Sequence, residues 1–175
     1  MGYNHTIMNS RSTAAESADT HRTHLAIHLL GPFESTLNGQ PVSGYASNNV
    51  RALLAYLAVE ADRPHSRRVL AALLWPECAD ATAADRFRNA LSNLRRVLGD
   101  GTSGEPFIVA TPETVQFRKG SDSWVDVTAL SRAVAAARAG QADATTLQCA
   151  LDWVRGPFLQ GLTIRNSPAF EEWVL

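Results

Sequence analysis

The stretch DRFRNALSNLRRVLGD, from Asp85 to Asp100, decides how the rest of the chain is read. Phe87, Ala90, Leu91, Leu94 and Leu98 recur at spacings of three and four, the buried stripe of an amphipathic α-helix. We expect that helix over Ala83 to Leu98, closed by Gly99. Between Arg86 and Gly99 it carries four arginines and no acid. Surface helices gain from opposite charges three or four residues apart. A one-signed polar side therefore belongs against a negative partner, or is a solvated arginine-rich face. Away from the stripe lie Arg86, Asn89, Ser92, Asn93 and Arg96, flanked by Arg88 and Arg95. Arginine pairs with guanine, asparagine with adenine, and serine with base or phosphate, so the set suits a DNA major groove.

The neighbouring segments set this helix in context. Val50, Leu53, Leu54, Leu57 and Ala58 predict a helix over Asn48 to Glu60. A second helix is expected over Arg67 to Leu74, with Ser66 as N-cap and Val69, Leu70, Leu73 and Leu74 facing inward. Trp75-Pro76 ends it. Arg67 and Arg68 in its first turn oppose the helix dipole, a placement that makes sense if a phosphate sits at that end. His24 to Val42 reads as short strands, with Asn38-Gly39 as a hairpin turn. Pro106 to Arg118 reads as a second hairpin, turning at Thr111-Pro112-Glu113-Thr114. A helix-turn-helix followed by a hairpin is a winged helix. His28 reads as a half-exposed strand filler and His65 as a turn residue.

Composition narrows the alternatives. Of 175 residues 45% are hydrophobic, enough for a core, and the formal net charge is −1. Bulk charge thus does not mark a nucleic-acid binder, and local charge has to carry that reading. Every basic residue but Lys119 is arginine, which suits bidentate contacts to phosphate and guanine. Cys78 and Cys149 have no metal-ligand or disulfide spacing. No apolar run suits a membrane span or a signal peptide, so a cytoplasmic protein with no membrane partner is expected. We find no cofactor-binding, metal or catalytic motif; the phosphate-loop pattern is missing, and His65-Ser66 matches no nucleophile motif, so no enzyme is expected.

Residues 1–22 are polar and aperiodic and read as a disordered tail. After Ser121, VDVTALSRAVAAARAG predicts an alanine-rich helix ended by Gly140. Ala142 to Val154 predicts another, Arg155 to Pro168 a loop, and Ala169 to Leu175 the start of a third. Helical repeats need about three units to bury a continuous core. These helices should therefore lack partners within the chain, as in a fragment of a longer protein or an oligomer.

VRALLAYLAVEADRPHSRRVLAALLWPE and NALSNLRRVLGD together resemble the OmpR-type winged helix of SARP-like bacterial transcriptional regulators. SDSWVDVTAL resembles the junction to the bacterial transcriptional activation domain that follows it, and RGPFLQGLTIRNSPAFEEWVL the opening of that domain. The resemblance spans about Leu25 to Leu175. It implies an α+β fold: an OmpR-type winged helix-turn-helix with an N-terminal antiparallel sheet, three helices and a C-terminal hairpin wing over 23–120, then a truncated all-α, TPR-like segment over 121–175. It makes Ala83 to Leu98 the recognition helix. It also implies RNA polymerase as a partner of the loop Pro76 to Thr82, where Glu77 and Asp80 would suit a basic surface; a plain solvated loop stands beside that reading. The sequence departs from the family pattern at Asn48 and Asn49, where bases are common, at Arg68, where an acid is common, and at Glu113 in the hairpin turn. The wing is therefore expected to add little affinity beyond Arg118 or Lys119.

The function expected is sequence-specific binding of double-stranded DNA in transcriptional regulation, leaning towards activation. The expected DNA-binding residues are Arg67, Arg68, Arg86, Arg88, Asn89, Ser92, Asn93, Arg95, Arg96 and Arg118. Two protomers on repeated half-sites, as a homodimer, would extend the short site one winged helix reads. The alternative is a protein-interaction module that uses the helices after residue 121, with the winged helix as a scaffold.

Overall fold

A computed structural model describes residues 24–100, 105–118 and 122–175. The 1–22 tail and Lys119 lie outside the described residues.

The chain opens with β1 (Leu25–His28), β2 (Glu34–Leu37) and β3 (Gln40–Pro41). The β2–β3 turn is Asn38-Gly39, both at positive φ (52° and 77°), the twist that a two-residue hairpin needs. Leu25, Ile27 and Leu29 all point inward at 0% exposure. Then follow α1 (Asn48–Val59), β4 (His65–Ser66), α2 (Arg67–Leu74), α3 (Asp80–Val97), β5 (Ile108–Ala110) and β6 (Thr114–Phe117). Helix α1 is the central element: Val50, Leu53, Leu54 and Leu57 are buried as the periodicity demands, and so are Ala52 and Ala55. Its N-cap Ser47 makes no side-chain capping bond, so burial rather than capping holds it.

The remainder is β7 (Ser123–Val125), α4 (Asp126–Arg138), α5 (Ala144–Leu151) and α6 (Pro168–Val174). The architecture is α+β with two small sheets. One has the order β3-β2-β1-β7, the other β4-β6-β5.

Several expectations are corrected. The N-terminal sheet is not wholly antiparallel, because β7 pairs parallel with β1, Ala26 opposite Trp124. Residue 120 is consequently no packing boundary: the following strand completes the first sheet. The side chain of Asp126, 0% exposed, accepts the backbone N–H of Leu29 and of Leu30. Nor do the later segments lack partners. Leu159, Leu162, Ile164 and Phe170 belong to the same core as Leu53 and Leu57. Ser167 Oγ donates to the Leu73 carbonyl at 2.6 Å, and Trp173 packs on Tyr56 with ring centroids 5.0 Å apart. Gly31 makes the approach possible at φ 128°, where a Cβ would stand 3.1 Å from the Arg155 Cβ. Helices α4 and α5 add little to that core, with Asp126 and Ala150 their buried residues.

Locally, Val69 faces outward at 60% exposure: α2 presents Leu70, Ala71 and Leu74 to the core. His65 is not a turn residue but a buried strand residue opposite Val115, its Nε2 2.8 Å from the Glu60 carbonyl. Helix α3 begins at Asp80, three residues before the expected Ala83, so it absorbs much of the Pro76 to Thr82 loop. Among the described residues no helix is long and apolar enough to cross a membrane.

Candidate nucleic-acid interface

Helix α3 buries Ala83, Phe87, Ala90, Leu91 and Leu94, with Leu98 beyond its end, against α1 and α2. The 3.6-residue period then leaves Asp85, Arg86, Arg88, Asn89, Ser92, Arg95 and Arg96 exposed. Asp100 anchors the far end: its two carboxylate oxygens accept the N–H groups of Phe107 and Ile108 at 2.8 and 3.0 Å, joining α3 to the hairpin. Burial pushes the Asp100 carboxyl up, against the opposing pull of those two bonds and of Arg95 and Arg118.

Five of the ten expected residues meet in one groove of about 500 Å³: Arg67, Arg88, Ser92, Arg95 and Arg96, with Asp100 at its end. A second, wider groove of about 670 Å³ runs between α2, the start of α3 and the hairpin turn. Arg67, Arg68 and Arg88 share its rim with Asp80 and Glu113, over Trp75 and Phe87. Asn89 stands exposed beside the first groove.

The arginines are not all alike. Arg88 lies 2.8 Å from Asp85, Arg86 3.5 Å from Glu77 and Arg68 3.4 Å from Asp80. Such exposed pairs contribute about 0–1 kcal/mol, so each can be exchanged for a phosphate at small cost. Arg67 differs: its Nε is buried without a hydrogen-bond partner. Arg118 pairs with Glu105 at 3.0 Å and does not line either groove.

Two of the expected contact groups already have partners within the chain. The first backbone N–H of α2, on Arg67, donates to the Glu113 carbonyl at 2.9 Å. The hairpin turn thus engages one of the amides at that helix end. Asn93 is also engaged: its Oδ1 accepts from the Ala46 N–H at 3.0 Å and its Nδ2 donates to the Gly44 carbonyl at 3.1 Å. Both ends of its amide hold the loop, which leaves one lone pair and one N–H of the side chain uncommitted. Nor does the turn between α2 and α3 offer two unpaired acids, since Glu77 and Asp80 face Arg86 and Arg68.

Sequence reasoning missed the 43–47 loop that occupies Asn93, since no periodic pattern points to it. Tyr45 fixes that loop: its ring meets Phe33 edge-on at 5.6 Å and its hydroxyl lies 2.7 Å from Ser35 Oγ. Burial raises the Tyr45 pKa, with the Ser35 bond and Arg51 opposing. Asp85, at the start of that face, is the acid paired with Arg88.

No protein-family model matches the chain. The transcriptional regulatory protein EmbR of Mycobacterium tuberculosis, and that of Mycobacterium bovis, are 32% identical to it over 142 residues. The match takes in 77% of this chain and 36% of the relative, so the chain spans about a third of the length of these curated relatives. Among solved structures, Mycobacterium tuberculosis EmbR in complex with a low affinity phosphopeptide superposes with a TM-score of 0.67 at 29% identity. That match covers 87% of this chain and 41% of the EmbR chain.

Proposed function

Because the chain belongs to the SARP-like family of transcriptional regulators, we propose that it regulates transcription by binding a specific double-stranded DNA sequence. In this reading α2 and α3 form a helix-turn-helix, the β5–β6 hairpin is its wing, and α3 enters the major groove. The observation that carries it is the meeting of Arg67, Arg88, Arg95 and Arg96 with Ser92 in one open groove beside Asn89. Four guanidinium groups there leave Asp100 as the groove's lone carboxylate, and that group is spent on two backbone bonds.

The roles follow from position. Asn89, Ser92 and Arg96 are the base readers, because they stand on the solvent side of α3. Arg67, Arg88 and Arg95 flank them and hold phosphates, which fixes register without carrying sequence information. Arg68 and Arg86 join them once released from Asp80 and Glu77. Arg118 is a weaker backbone contact, already tied to Glu105. Asn93 leaves the base-reading set. Activation through RNA polymerase would use the short turn before α3, and two protomers would share a repeated site.

The test compares a duplex enriched from a random pool with an unselected duplex, by fluorescence anisotropy. Tighter binding to the enriched duplex supports the reading. Equal affinity for both removes sequence specificity, and binding to neither removes DNA as the partner.

A further inference from the structure

We propose that Asn93 is a positioning residue for DNA binding, one that sets the angle of α3 through the 43–47 loop instead of reading a base; this rests on the DNA-binding reading above. Asn93 lies four residues after Asn89 and three before Arg96, so it sits in the same stretch of helix as the base readers. Its amide closes a two-bond clamp on the loop, one bond to the Ala46 N–H and one to the Gly44 carbonyl.

The loop itself is held from the other side. The Tyr45 hydroxyl bonds Ser35 Oγ, on β2, and the Tyr45 ring rests against Phe33. Arg51 of α1 lies over the same ring at 5.7 Å and donates to Asn48 Oδ1 at 2.9 Å. Gly44 adopts φ 88°, and a Cβ there would stand 3.5 Å from Val97 Cγ1, one turn beyond Asn93. The result is an unbroken line of contacts from the first sheet through Ser35, Tyr45 and the loop to the middle of α3. At its C-terminal end α3 is fixed separately, by Asp100 on the hairpin. Beside its packing on α1 and α2, these two anchors on different sheets restrain the helix direction, and releasing one relaxes that restraint.

A tilt of α3 spoils contacts that depend on register and spares those that need only charge. Asn93→Ala should therefore weaken the enriched duplex by about three- to tenfold, the worth of one or two hydrogen bonds. The loss should be shared by every preferred base pair, with affinity for unselected duplex unchanged. Tyr45→Phe keeps the ring and removes only the bond to Ser35, a bond between two residues outside the proposed DNA contacts. It should weaken the enriched duplex in the same manner, and the double variant should lose less than the sum of the two.

Four outcomes are informative. Losses of this shape with subadditive coupling support the proposal. A loss confined to one base-pair position, with Tyr45→Phe silent, makes Asn93 a base reader and overturns it. A lowered melting temperature with unchanged affinity makes the clamp purely structural and also overturns it. A parent that binds no duplex at low salt overturns the DNA-binding reading and the positioning role together, and is told apart from the others by the parent measurement alone.

Discussion

The carboxylate of Asp126 accepts the backbone N–H of Leu29 at 2.7 Å, across 97 residues of chain. The same oxygen takes the Leu30 N–H at 2.8 Å, and the other oxygen the Val127 N–H at 2.7 Å. One buried side chain thus closes the end of β1 and starts α4. Asp126→Ala strands these donors in the interior and should destabilise the fold by about 2–4 kcal/mol. Urea unfolding reads this directly; a change within about 0.5 kcal/mol would mean that water replaces the carboxylate without cost.

The same contact argues that the first sheet needs the chain beyond residue 120. A chain ended after Arg118 loses β7, the parallel neighbour of β1, and the Asp126 carboxylate that bonds the end of β1. We expect it to lose cooperative thermal unfolding, which the chain through Leu175 retains. A sharp transition in the shortened chain would show that the 24–118 segment folds alone.

Asp85 is an exposed acid of α3, 2.8 Å from Arg88. Asp85→Asn removes a charge that opposes a polyanion and frees Arg88. Affinity for enriched and unselected duplexes should both rise, and the dependence on salt should steepen by about one unit of slope. Weaker binding would make Asp85 a base contact instead.

Arg96 and Arg67 should separate cleanly. Arg96→Ala is expected to cost about 1–3 kcal/mol at one base-pair position and to relax preference there. Arg67→Ala should weaken all duplexes by a common factor. Competition with singly substituted duplexes measures both, and a sequence-specific loss at Arg67 would exchange their roles.

Asp100 makes stability depend on pH. Burial raises its folded pKa above the ordinary aspartate value of 3.8, so the folded chain holds the proton more tightly than the unfolded one. The stability it lends is full below 3.8 and is lost as pH rises through the folded pKa. Asp100→Asn should abolish that decline, although it gives up one of the two bonds to Phe107 and Ile108. Urea midpoints of parent and variant across the acid range test this; parallel curves would contradict it.

Much of this architecture was legible because it is periodic. The bounds of α2 and the Asn38-Gly39 turn follow from apolar spacing and turn chemistry, and the buried stripe of α3 does too. What escaped is short or non-local. Strands β4 and β7 have two and three residues, too few for alternation to declare itself, and both exist only through partners distant in sequence. Val69 sits on the outer side of an eight-residue helix, where two turns leave the apolar face poorly defined. Asn93 was read from its helix position alone, which could not show that its amide bonds a loop about 47 residues away. Residue type marked the candidate interface; hydrogen bonds show which of its members already have partners within the chain.

The measurement that bears most directly on the central claim is anisotropy of enriched and unselected duplexes across a salt series. If about four to six phosphates are neutralised, affinity should fall by roughly two to three orders of magnitude from about 50 to 200 mM salt. The enriched duplex should remain the tighter binder throughout. Absence of binding at the lowest salt would contradict the account, and the groove formed by Arg67, Arg88, Arg95 and Arg96 would then require another anionic partner.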